Sequence, residues 1–79
     1  MPAKAKWAQI ADQIREQIAS GALAPGEKLP STAQMKEKHG VSQVVVRQAV
    51  LVLQTQGWVE GVPGVGVFVA EELPNAPDR

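Results

Sequence analysis

Seventy-nine residues without a Cys, carrying eight Lys/Arg, eight Asp/Glu and a formal net charge of zero, amount to one domain near the small end of what folds without a staple. That composition excludes a disulfide framework and a thiolate zinc site, and no apolar run approaches the roughly 20 residues of a membrane span or forms a secretory h-region, so a cytoplasmic protein is expected. The charge is unevenly placed: residues 1–70 hold seven Lys/Arg and five Asp/Glu, a net of +2, while Glu71, Glu72 and Asp78 oppose Arg79, a basic excess too slight to mark a phosphate binder alone.

Residues 1–6 read as a loose, basic lead. Trp7, Ile10, Ala11, Ile14 and Ile18 then recur at helical spacing over an arc of roughly 100°, the pattern of an amphipathic helix, with Asp12, Arg15, Glu16 and Ala19 pointing away. Ser20-Gly21 stops it. In the connection that follows, Pro25-Gly26 suits the centre of a type II turn, and Leu23 and Leu29 are expected to tuck its ends into the core. Ser31 as N-cap and Gln34 three residues on form a capping box for a second, short helix, with Met35 inward and Gly40 at its end.

The next cap, Ser42, opens the stretch Gln43-Val44-Val45-Val46-Arg47-Gln48-Ala49-Val50-Leu51-Val52-Leu53-Gln54-Thr55-Gln56-Gly57. Its valines would suit a buried strand, but about fifteen residues between two caps exceeds ordinary strand length, and a helix is predicted. Val46, Ala49, Val50 and Leu53 share its inward face; Gln43, Val44, Arg47, Gln48, Leu51 and Gln54 share the other. Two helices joined by a short Gly-containing turn make a helix-turn-helix, although spacing alone also suits a generic helical hairpin. Beyond Gly57, Trp58-Val59-Glu60, Gly61-Val62-Pro63-Gly64 and Val65-Gly66-Val67-Phe68-Val69 read as strand, loop and strand, with Trp58, Phe68 and alternate valines packed on the helices. Residues 71–79 read as an acidic, proline-containing tail. With one His and no acids that the pattern pairs, neither a nucleophile–base pair nor a metal site can be assembled. No enzyme activity and no cofactor is expected.

Three helices and a hairpin over residues 7–70 make a mainly α, winged helix-turn-helix domain. Ile10-Ala11-Asp12-Gln13-Ile14, Gly21, Pro25-Gly26-Glu27-Lys28-Leu29-Pro30-Ser31, Gly40-Val41-Ser42, Val46-Arg47-Gln48-Ala49, Leu53, Gly57 and Gly64-Val65-Gly66-Val67-Phe68-Val69 stand in one order and spacing. In these the chain resembles the N-terminal domain of GntR-type bacterial transcription regulators. The resemblance implies a sequence-specific DNA-binding regulator, most often a repressor, bound as a dimer to a pseudo-palindromic double-stranded operator. The helix from Ser42 would enter the major groove and the hairpin tip near Gly64 the adjacent minor groove.

The expected DNA-contacting set is Ser31, Lys36, Ser42, Gln43, Val44, Val45, Arg47, Gln48 and Gly64. Arg47 suits phosphate or guanine O6 and N7, Gln43 and Gln48 suit adenine, and Val44 and Val45 suit thymine methyls. Ser42 can donate to phosphate, Lys36 can extend its ammonium to one, and Gly64 lets wing backbone approach closely. The family often has Arg where this chain has Ala33, Gln43 and Gly61, and a basic residue at Val65. Fewer cations imply weaker or less salt-sensitive binding. Leu51 and Val52 replace frequently charged positions; Leu51 is expected either to pack under the wing or to join an apolar patch. That patch would serve the alternative reading, a protein–protein interaction module with little or no DNA binding. His39 is expected as a partly packed surface residue, and Trp7 as core. A monomer in solution that pairs only on DNA is expected, and no effector is expected to bind this segment.

Overall fold

The computed structural model describes residues 5–72, so most of the expected lead (residues 1–6) and tail (residues 71–79) lies outside the described residues. Helix α1 spans Lys6–Ser20, α2 Thr32–His39 and α3 Gln43–Thr55, followed by strands β1 Val59–Val62 and β2 Gly66–Val69. The architecture is the expected one: three helices and an antiparallel hairpin.

Each helix stops where its glycine permits. Gly21 and Gly40 take positive φ, 91° and 64°, after α1 and α2. At the end of α3 the N–H of Gly57 donates to Gln54 O at 3.0 Å and that of Trp58 to Leu53 O at 2.9 Å. These are the paired bonds of a Schellman motif, and both apolar members of the pair, Leu53 and Trp58, are buried. At the other ends, Ser31 and Gln34 form the reciprocal capping box, and Ser42 Oγ accepts from the N–H of Val45.

Helix α3 is the axis of the packing: α1, α2 and β1 all lie against it. Ile10, Ala11, Ile14 and Ile18 of α1 meet Met35 of α2 and Val46, Ala49 and Leu53 of α3 in one core, closed by Leu29, Trp58, Val59 and Val69. Trp7, Leu23, Val41 and Val50 are half-buried against it. Arg15 ties α1 to the end of α3, donating to Gln56 Oε1 at 2.8 Å while pairing with Asp12.

The hairpin departs from expectation in three respects. Its first strand reaches further toward the tip, with Gly61 and Val62 paired to Val67 and Gly66, while the second starts one residue later than expected, so the loop is Pro63-Gly64-Val65 and Trp58 precedes the first strand. Phe68 pairs with Glu60 on the face opposite Val67 and Val69, and is only half-buried instead of core. Strand alternation allows one face or the other, and Val69 takes the inner one. Third, the hairpin is not alone. The connection before α2 runs along β2: Gly26 N–H donates to Val69 O (2.9 Å), Val69 N–H to Glu27 O (2.8 Å) and Leu29 N–H to Val67 O (2.8 Å), with a bridge between Lys28 and Phe68. The β-turn that starts this run is as predicted, with Gly26 at φ 83° and Glu27 N–H donating to Ala24 O at 2.9 Å. A two-stranded wing would be marginal in water; this added segment braces it and ties it to α2.

Candidate nucleic-acid interface

Three elements converge on one side of the molecule. The start of α2 contributes Ser31 and Thr32, α3 contributes Arg47, Leu51 and Gln54, and the wing contributes Val65, Gly66 and Val67. Between them lies a cleft of about 550 Å³ with Lys28 and Arg47 as its cations and no carboxylate among its lining residues. The charged side chains that line it are therefore all positive although the chain as a whole is neutral. Lys28 was absent from the expected contact set. Its side chain crosses the wing at Gly66, where an added Cβ would come within 2.6 Å of Lys28 Cε. The signal was faint: only the pairing of residues 26–29 with β2, invisible in the local sequence, brings Lys28 beside the wing.

The first turn of α3 is an open helix N-terminus. Ser42 Oγ takes the N–H of Val45 at 3.3 Å, and Ser42 O takes that of Val46 at 3.2 Å. The N–H groups of Gln43 and Val44 have no protein acceptor among the described residues. Two free donors at the positive end of a helix dipole suit an anionic oxygen. Gln43, Val44, Arg47 and Gln48 are exposed around this turn, and the side chains of Gln43, Arg47 and Gln48 have no partner among the described residues. Ser31 Oγ accepts from Gln34 N–H at 3.1 Å, which leaves its O–H available to donate.

Of the expected residues, the cleft thus gathers Ser31 and Arg47, while Ser42, Gln43 and Val44 stand on the open first turn of α3 and Gln48 one turn further along it. Gly64 stands at the wing tip with φ 78° and nothing within 4 Å of an added Cβ, so backbone is the outermost surface there. Two residues lie apart. Val45 is half-buried and packed on the core, showing much less surface than Val44. Lys36 is exposed beside Ala33, Glu37, Gly40 and Val41, in a shallow depression separate from the cleft. Its carbonyl, in contrast, closes α2 by accepting from Gly40 and Val41. Leu51 does not pack under the wing: it is 55% exposed on the wall of the cleft. His39 is half-buried, as anticipated.

The family model described as bacterial regulatory proteins, gntR family, matches residues 6–69. The chain belongs to this GntR family. Among its relatives is the mannosyl-D-glycerate transport/metabolism system repressor MngR of Escherichia coli (strain K12), 47% identical over 72 residues that cover 91% of this chain and 30% of the repressor. The chain thus spans under a third of that relative's length. Among solved structures, the NTD of AraR in complex with mutant ORR3 superposes with a TM-score of 0.86 at 33% identity, covering 89% of this chain and all of that one. AraR(DBD) in complex with operator ORX1 gives 0.84 at 34% identity, covering 86% of this chain and 82% of that one. The GntR match ends at the last wing strand, so it takes in α1, the helix-turn-helix and the whole hairpin. Among the described residues no helix is long and apolar enough to cross a membrane.

Proposed function

We infer that this chain is the sequence-specific DNA-binding domain of a GntR-type transcription regulator of the repressor kind, acting in the cytoplasm on a double-stranded operator. The observation that carries this reading is the open N-terminal part of α3, where the N–H groups of Gln43 and Val44 and the side chains of Gln43, Arg47 and Gln48 have no partner among the described residues, set beside a cleft that runs to the wing and has no carboxylate in its lining. In this reading α3 lies in the major groove with Arg47 on guanine or phosphate, and Gln43 and Gln48 on adenine edges. Ser31, Ser42, Lys28 and Lys36 hold phosphates, and the wing backbone at Gly64 follows the minor groove. Two copies pair on a pseudo-palindrome without a stable interface in solution. Effector recognition is not assigned to this segment, and neither is catalysis.

The alternative of a protein-interaction module draws on one observation. Among the described residues, the four exposed large aliphatic residues, Val44, Leu51, Val62 and Val65, stand on α3 or the wing. Selection of preferred sites from a random duplex pool, followed by fluorescence-anisotropy titrations at several salt concentrations, separates the two. An enriched palindromic site, bound with a log–log salt slope of roughly −2 to −4 for a few phosphate contacts per copy, is expected. Absence of enrichment and of affinity even at low salt would leave the interaction module as the better reading.

A further inference from the structure

Val44 is 74% exposed, the largest value among the exposed large hydrophobic side chains of the described residues, and occupies the first turn of α3. Single exposed aliphatics are ordinary, but this one has particular neighbours. Gln43 precedes it, Arg47 and Gln48 follow one turn later, and none of their side chains has a partner among the described residues. The backbone N–H groups of Gln43 and Val44 are equally open. An apolar protein surface seated on Val44 would bury all of these donors unsatisfied. The DNA major groove satisfies them, and it offers one apolar feature, the C5-methyl group of thymine.

We propose that Val44 is a specificity-determining residue that reads the thymine C5-methyl, at a position within two base pairs of the guanine taken by Arg47. This rests on the DNA-binding reading above and goes further by naming what the apolar residue recognises. The separation follows from the helix: residues three apart stand about 5–6 Å from each other, against a rise of about 3.4 Å per base pair. Val45 does not share the task, because it is packed on the core. Since the group read is a methyl and not a hydrogen-bonding edge, 5-methylcytosine satisfies Val44 at this position, while cytosine and uracil do not.

The test uses two random duplex pools, one with thymine and one with uracil throughout, each selected against this chain and then against Val44→Ala. A site enriched from the thymine pool is remade with uracil at single positions. One substitution is expected to weaken binding about fourfold, from ~0.8 kcal/mol per buried methyl at 1.4 kcal/mol per decade. Val44→Ala, with an unchanged circular dichroism spectrum, is expected to bind the thymine and uracil versions of that site alike. Equal affinity of the unaltered chain for both versions overturns the methyl reading and leaves the DNA-binding domain standing. Full uracil sensitivity retained in Val44→Ala also overturns it, by placing the contact on another residue. No enrichment from either pool defeats the DNA reading itself, and the methyl reading with it.

Discussion

Helix α3 carries aliphatic side chains on both of its long faces, with opposite consequences. Inward, Val46, Ala49 and Leu53 have no accessible surface; outward, Val44 is 74% and Leu51 55% exposed. The inner residues contribute to holding the three helices together, because each methylene there is removed from water and meets close-packed neighbours. The outer residues contribute almost nothing to folding and set what the helix can touch. Ser42 belongs to both: its side chain caps the helix while the two N–H groups it leaves free belong to the outer face. The same type of residue is thus core or surface according to a rotation of about half a turn, and, on the proposed function, substitutions on the two faces should separate stability from binding.

The largest effect is expected inside. Leu53→Ala removes a side chain with no exposed surface that touches the Trp58 end of the core, and should lower unfolding free energy by about 2–5 kcal/mol. For a domain of this size that is a large part of its stability. Urea denaturation followed by circular dichroism measures it. A loss under about 1 kcal/mol would mean that the core refills around the site and that the contrast between faces is weaker than burial suggests.

Outside, Arg47→Ala should leave urea denaturation within about 0.5 kcal/mol of the parent, because the guanidinium has no partner among the described residues. The change should instead cost about 1–3 kcal/mol of specific DNA affinity if Arg47 reads a base, with relaxed preference at that base pair. A uniform loss across all sequences, with a salt slope smaller by about 1, would reassign Arg47 to a phosphate. Unchanged specific affinity would remove it from the major groove altogether.

The same contrast explains what could be read from the chain before its structure. All three helices, both serine caps and the glycine stops were legible because each is written within a few residues: an S-x-x-Q box, a Gly at the left-handed position, apolar residues at helical spacing. The wing was legible only in outline. Three of its four strand ends moved by one or two residues, since Pro63-Gly64 marks a turn without fixing which flanking residues pair. Phe68 was placed inward because it is large and aromatic, whereas strand alternation had already committed that face to Val67 and Val69. The backbone pairing of residues 26–29 with β2 was not legible at all. Residues 26–29 carry no β pattern of their own and pair with a partner some forty residues distant. With that pairing missed, Lys28 was missed too, although it is one of the two cations lining the cleft.

Leu51 tests the outer face at its smallest scale. Two turns beyond Val44 and one beyond Arg47, it is half exposed on the cleft wall between α3 and the wing. Its substitution therefore opens no cavity in the core, and Leu51→Lys should hold stability within about 0.5 kcal/mol. A lysine there adds a third cation to a wall that already has Lys28 and Arg47 and no carboxylate. If the cleft follows the DNA backbone, the new ammonium neutralises one further phosphate. DNA affinity should then rise several-fold at low salt, and the log–log slope should steepen by about 1. Greater affinity with an unchanged slope would indicate a contact made without counterion release. Weaker binding would mean that the Leu51 methyls, as proposed for those of Val44, touch bases directly. A drop in stability of several kcal/mol would show instead that Leu51 supports the wing, and the division between the two faces of α3 would have to be drawn nearer the DNA-proximal end of the helix.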